Sequence, residues 1–333
     1  MDLDVPTGAS TDAGAGVVLR ALRYDGAEPN PDDIAALQGL LVAYDLAVIG
    51  ERDAGDDEAR DLVTNPLTMR EESSLLLVGD EPVGFVRLEN DTTARDVYVD
   101  VWAPPGEHSV AALDLGIAHG LAVAQRVATT SGEGWTARAG TWMQDEEYAE
   151  AIARQGFSPV RRFHRMRVDA SSPAIPAVAP PLPEGFEIVV PRDDEGYRAV
   201  CLVDNESFLD HWHFTPREYD EWWPLMTSES GYDPEGWWLL TVDGAPAAIC
   251  LNDDSRADIG DGYVGVLGVR REFRGHGLAT LLLQHAFVRD RDRGLKGTQL
   301  GVDSENWSGA VRLYEGVGMT AIRTVQGWAL PLT

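Results

Sequence analysis

The chain has 333 residues, which at roughly 150 residues per domain argues for about two domains. Hydrophobic residues make up 44% and charged residues 25%, enough apolar material for a core in each half. With 27 Lys+Arg against 55 Asp+Glu the formal net charge is −28, a surface that repels phosphate backbones and anionic lipid heads. Nucleic acid and membrane are therefore not expected partners; such a surface draws in cationic small molecules or basic peptides, or else only keeps a cytosolic protein soluble.

Residues 1–16 are acidic and lack an apolar centre, so they read as a disordered N-terminus and not as a signal peptide. No apolar run approaches the ~18 residues of a membrane helix. The two cysteines, Cys201 and Cys250, sit in separate apolar runs and read as buried thiols in a reducing, cytoplasmic compartment. His164, His276 and His285 show no ligand spacing, so no metal is expected.

In chain order, Val17–Arg23 reads as a strand, and Asp32–Ile49 as a helix with Ile34, Leu37, Leu41 and Leu46 near a 3.6 period. Leu75–Val78 and Val83–Leu88 form a hairpin about Asp80-Glu81. Val97–Trp102 is a strand, Val110–Val127 a helix and Trp135–Met143 a strand. Glu146–Arg154 is a helix stopped at Gly156, and Pro159–Val168 closes the half. The Pro/Ala-rich stretch from Asp169 to Pro183 is a stiff linker. Beyond it the order repeats: strand Phe186–Val190, helices Glu195–Phe208 and Tyr219–Met226, hairpin Trp237–Val242 with Ala247–Asn252, strand Tyr263–Val269 and helix Leu278–Arg291. Strand Thr298–Val302, helix Ser308–Val317 and a final strand or hairpin Met319–Leu330 complete it. The repeated order predicts a mixed α/β sheet in each half and one internal duplication, with domains at 17–168 and 184–333 joined by 169–183.

The strand Val266-Leu267-Gly268-Val269 runs into Arg270-Arg271-Glu272-Phe273-Arg274-Gly275-His276-Gly277-Leu278-Ala279 and then a helix. Arg274, Gly277 and Ala279 have the spacing R-x-x-G-x-A. Glycines let backbone N–H groups turn toward one point, and the helix start adds unpaired donors, so a pyrophosphate fits; an unliganded strand-to-helix turn is the plainer reading. The turn is neither a P-loop nor a dinucleotide fingerprint. Downstream, Val302-Asp303-Ser304-Glu305-Asn306 leads through Tyr314 to Gly318-Met319.

Together these motifs resemble the GNAT superfamily of acetyl-CoA-dependent N-acetyltransferases. The tandem layout and the stretch Glu206–Pro216 are similar to the mycothiol synthase-like tandem members. The resemblance spans about Val17 to Leu330, specific in the second half and architectural in the first. It implies two tandem GNAT (acyl-CoA N-acyltransferase) domains of mixed α/β fold, the N-terminal one degenerate. It further implies acetyl-CoA as cofactor and transfer to a small-molecule amine by direct attack, without a covalent enzyme intermediate.

Residue by residue, it implies that the strand backbone at Leu267, Gly268 and Val269 bonds the pantetheine and polarises the thioester carbonyl. Arg274, Gly275, His276, Gly277, Leu278 and Ala279 would cradle the pyrophosphate, and Asn306 would contact the cofactor arm. Tyr314 would protonate the leaving thiolate, or else is a core tyrosine. Many relatives carry a glutamate base six residues before the position of Val269, where this chain has Tyr263, a poor base near neutrality. Asp261, His211 or His213 acting through water then stand as bases, or the amine arrives deprotonated. Asp261 as a turn residue and the histidines as aromatic packing are the alternatives. Of Trp237-Trp238, one is expected in the core and the other in the acceptor groove or seam.

In the first half the matching turn is Trp102-Ala103-Pro104-Pro105-Gly106-Glu107-His108, where prolines remove donors and Glu107 places negative charge. Ile152 stands at the position matching Tyr314. A monomer or homodimer with one working site is expected; a non-catalytic acyl-CoA-binding or scaffold protein is the alternative.

Overall fold

The computed structural model describes residues 16–305 and 309–333. The expected disordered N-terminus lies almost wholly outside the described residues, as does Asn306. The first half contains β1 (Val18–Ala21), the two-residue ladder β2 (Tyr24–Asp25) and β3 (Glu28–Pro29), α1 (Pro31–Val48) and α2 (Glu58–Thr64). It continues with β4 (Ser74–Val78), β5 (Glu81–Asp91), β6 (Asp96–Trp102), α3 (Ser109–Ser131), β7 (Thr136–Trp142), α4 (Glu146–Arg154) and β8 (Ser158–Asp169). The second half contains β9 (Phe186–Val189), α5 (Asp194–Phe208), α6 (Tyr219–Thr227), β10 (Trp237–Val242), β11 (Ala245–Asp253) and β12 (Asp261–Val269). α7 (Leu278–Asp292), β13 (Gly297–Asp303), α8 (Ala310–Gly316) and β14 (Thr320–Pro331) end the chain.

Local chemistry sets the helix starts. Asn30 caps α1 by accepting the Asp32 N–H at 3.0 Å, with Pro31 in the first turn, and Asp193 caps α5 through the Gly196 N–H at 2.9 Å. The helix not expected from the sequence is α2, a seven-residue element whose buried pair Ala59 and Val63 lies too close to an Asp/Gly-rich stretch to show a period.

Alternate residues of the strands feed different cores. Leu76 and Val86 pack with α3, whereas Leu75 and Phe85 pack with α1 and α2. In the second half Ala248 and Cys250 pack with α7, whereas Ile249 and Leu251 pack with α5 and α6. Trp237 enters the α5–α6 core, and Trp238 packs partly buried on the α7 side. α3 is the one helix among the described residues long and apolar enough to cross a bilayer, longer than the composition had suggested. Its Gly116 and Gly120 face is pressed onto Val101 and Val99 of β6, the packing of a core helix.

The two halves do not form separate sheets. Twelve strands run in the order β1-β4-β5-β6-β7-β14-β8-β13-β12-β11-β10-β9. The last strand of each half has crossed over: β14 pairs with β7, β8 pairs with β13, and β8 and β14 pair with each other at the centre. The segment expected as a stiff spacer lies along α7, with Ile175 buried and the Pro176 carbonyl accepting from Arg291 at 2.7 Å. Asp53, in the loop after α1, collects Arg165 of β8, Arg256 of the β11–β12 loop and Arg323 of β14, which locks the lobes together.

Candidate active site

The site begins with a divergence of two parallel strands. β12 pairs with β13 only from Asp261↔Gly297 to Val264↔Leu300. A register shift opposite Leu251 and Asn252 then bulges β12 at Gly265, while its other edge stays paired with β11 through Val269. From Gly265 to Val269 the edge facing β13 has no ladder partner. Backbone donors and acceptors on that edge are therefore available to an extended ligand lying between the strands.

The strand ends in the turn that the glycine pattern marked. Gly275 and Gly277 have φ of +80° and +78°, the left-handed region that an L side chain resists, and open space surrounds both Cα atoms. α7 starts at Leu278 without a side-chain cap, so its first N–H groups point into the turn. Of the three arginines here, Arg270 is engaged by Glu206 and by Glu272, and Arg274 by Asp210 at 3.1 Å. Arg274 also donates to the Ser207 carbonyl at 2.8 Å and the Val269 carbonyl at 3.1 Å, which braces the turn against α5. The local positive excess expected from three arginines is thus largely compensated. Backbone N–H groups and Arg271 remain to attract an anion.

Strand split and turn open into a cavity of about 700 Å³, a size that suits a large organic ligand. Leu267, Gly268, Val269, Arg274, Gly275 and Gly277 form one wall, together with Leu278 and Ala279. His276 is the exception: its ring is exposed, with Nδ1 3.2 Å from the Phe273 carbonyl, and it takes no part in the wall. The residues present fit a pantetheine along the free β12 edge and a pyrophosphate at the α7 start. One feature of the wall was not legible in the sequence. Ser207 Oγ, on the α5 wall beside Gly268, is buried with no hydrogen-bond partner.

Tyr314 lines the same cavity from α8. Burial, reinforced by Cys250, pushes its hydroxyl up to about 12, so it stays protonated at neutral pH. His211 also lines this cavity, packed against Phe208 with ring centroids 4.6 Å apart. Burial first, then the Arg274 charge, lowers its pKa below the ordinary histidine value, so the ring is neutral. A neutral base and a protonated acid face one cavity.

The other base candidates are elsewhere. Asp261 is buried at the far end of β12, accepting from Arg167 at 2.7 and 2.9 Å and from Gln299 at 2.6 Å, outside the cavity. Held by three donors away from the cavity, it is a structural ion pair and not the base. Tyr263 also lies outside this cavity and lines a second chamber; burial raises its pKa further, which removes it as a base. His213, held at φ +60°, places Nε2 2.6 Å from Asp96 and 2.7 Å from Arg138 of the first half, so it latches the loop to the other lobe.

The first half shows the same construction with the opening closed. Asp96-Val97-Tyr98-Val99 repeats Asp261-Gly262-Tyr263-Val264, and each aspartate is buried against an arginine at 2.7 Å. β6 and β7 likewise pair only over Asp96–Tyr98 before diverging. Here Tyr148 of α4 fills the gap: its hydroxyl accepts from Val101 N at 2.9 Å and donates to the Val99 carbonyl at 3.3 Å. The strand edge free in the second half is spent on the protein itself.

This fold and strand-split cavity define an acyl-CoA-binding acyltransferase of mixed α/β architecture. The acetyltransferase (GNAT) family model matches residues 197–319, and a mycothiol acetyltransferase from Thermobispora bispora is 31% identical over 257 residues, 74% of this chain and 79% of that protein. The chain belongs to the GNAT acetyltransferase family and is homologous to mycothiol acetyltransferases. Across such relatives the matched segment spans from 54% to 79% of their length. A GCN5-related N-acetyltransferase from Sphaerobacter thermophilus, 25% identical, superposes with a TM-score of 0.76 over 95% of both chains. A tandem GNAT protein from the clavulanic acid biosynthesis pathway, 18% identical, shares the fold with a TM-score of 0.66 over 95% of this chain and 98% of that one.

Proposed function

We propose that the C-terminal lobe transfers an acetyl group from acetyl-CoA to a primary amine of a small-molecule acceptor by direct attack. The carrying observation is that the unpaired β12 edge, the left-handed glycine turn, neutral His211 and protonated Tyr314 all border one cavity. Relatives named for mycothiol acetylation support a small-molecule acceptor. When bound, acetyl-CoA supplies the acetyl thioester.

The β12 backbone near Leu267 and Val269 holds the pantetheine and offers an N–H to the thioester oxygen as negative charge develops there. His211 takes the proton that the amine nitrogen loses as its lone pair forms the C–N bond. Tyr314 gives a proton to the sulfur as the C–S bond breaks, leaving amide and free thiol. Leu278, Ala279 and the two glycines hold the pyrophosphate. The N-terminal lobe, its cleft filled by Tyr148, supports this site through Phe163 of β8 and through Asp96 and Arg138, which hold His213. The buried free thiols Cys201 and Cys250 support a cytoplasmic setting.

The non-catalytic alternative is less well supported, because a mere binder needs no acid and base facing its cavity. The test is thiol release from acetyl-CoA across a panel of small amines. Turnover with at least one amine is expected; tight acetyl-CoA binding with no turnover on any acceptor would return the protein to the binding class.

A further inference from the structure

The two halves differ in where one aromatic ring sits on one helix. α4 and α8 each follow the outer strand of a split, β7 and β13, and each ends two residues before a glycine with left-handed φ, Gly156 and Gly318. Counting back from those glycines sets Ile152 against Tyr314 and, one turn earlier, Tyr148 against Ala310. Residues four apart share a helix face, so both members of each pair address the strand split of their own half. In the first half Tyr148 and Ile152 pack with Val99 and Val101 of β6. In the second half Ala310 and Tyr314 line the cofactor cavity.

The strands correspond as well. With Gly265 as the extra residue of the bulged strand, Val101 matches Leu267, and the two face alike, Val101 toward α3 and Leu267 toward α7. Tyr148 is fully buried; its hydroxyl accepts from the Val101 N–H at 2.9 Å and donates to the Val99 carbonyl at 3.3 Å. One phenol thereby gives the strand an acceptor and a donor, the same two groups that a secondary amide on an extended ligand offers. Moving the ring one turn along the helix frees the strand edge and also brings a hydroxyl, that of Tyr314, to the cavity.

We infer that Ala310 is the residue that decides whether this half binds its acyl donor. Its methyl group leaves, against the free β12 edge at Leu267, the room that Tyr148 fills in the first half, and the amide-bearing arm of the donor takes that room. The inference rests on the acetyltransferase reading and adds to it a position that sets how wide an arm the site accepts.

Calorimetric titration of the full chain with acetyl-CoA tests it, on Ala310→Tyr and Ala310→Phe beside the wild type. Both rings are expected to cut acetyl-CoA affinity at least about tenfold. The melting temperature of Ala310→Tyr is expected at or above the wild-type value, because its hydroxyl can accept from the strand as Tyr148 does. It should also exceed that of Ala310→Phe, which lacks the hydroxyl, by about 2 °C or more. A melting temperature that holds shows that affinity is lost by closure and not by unfolding. Wild-type affinity in both variants overturns the inference, and so does an Ala310→Tyr chain no more stable than Ala310→Phe. Loss of binding in both variants, with a wild type that acetylates no amine, would sustain the inference and sink the transferase reading. Wild-type turnover that persists in both variants would do the reverse.

Discussion

In the proposed reaction Tyr314 and His211 carry opposite requirements, and their surroundings supply them. Burial keeps the tyrosine protonated, and burial with Arg274 keeps the histidine neutral. Tyr314→Phe is therefore expected to lower kcat by about 10²-fold or more, with acetyl-CoA affinity nearly unchanged; an unaltered kcat would show that the tyrosine only packs. For His211 the sign follows from the lowered pKa. The active neutral form persists below the ordinary histidine value, so the acid limb of kcat/KM falls below pH ~6.5. His211→Ala should remove that limb, which a pH–rate profile reads directly. At this scale the sequence was legible for Tyr314, whose place before Gly318 fixes it on α8. Asp261 was not, because the arginine that occupies it lies 94 positions away on another lobe's strand. Ser207 became visible only when α5 was laid against Gly268.

At the scale of elements, apolar alternation and capping residues placed nearly every helix and strand within a few positions. Partner choice was another matter. Periodicity tells which face of β8 and β14 is buried, but not that each crosses to the other half's sheet. In the proposed site the strand-to-helix turn is where an element's geometry becomes binding. Gly277 sits at φ +78° with space around it, so substitution acts through backbone strain and through whatever projects toward the α7 start. Gly277→Glu combines both effects and adds negative charge. A loss of at least about tenfold in acetyl-CoA affinity is expected by calorimetry, with the melting temperature only modestly lowered. Affinity at the wild-type level would remove the turn from the site.

Across the whole molecule, two copies of one plan share a sheet and differ in what fills the strand split. In the first copy Tyr148 satisfies the strand from within; in the second the edge is left for a ligand. Asp53 holds the copies in register. Burial alone would raise its pKa, and Arg165, Arg256 and Arg323 together overcome this and lower it. A carboxylate depressed in the folded state stabilises above its unfolded pKa and ceases to do so as pH falls through the folded one. Lobe docking should therefore weaken at acid pH, below the usual carboxylate range. Asp53→Asn leaves three guanidiniums around a neutral amide and is expected to cost about 3–5 kcal/mol at neutral pH by denaturant unfolding. The variant should also lose much of the acid sensitivity; a loss under about 1 kcal/mol would mean the arginines find water or other partners.

The central claim is that one copy kept its acyl-CoA site while the other filled its own. The stoichiometry of acetyl-CoA binding to the full chain tests this most directly. A single site per chain, abolished by Gly277→Glu, is the predicted result; two sites per chain, or one that survives that substitution, would contradict it.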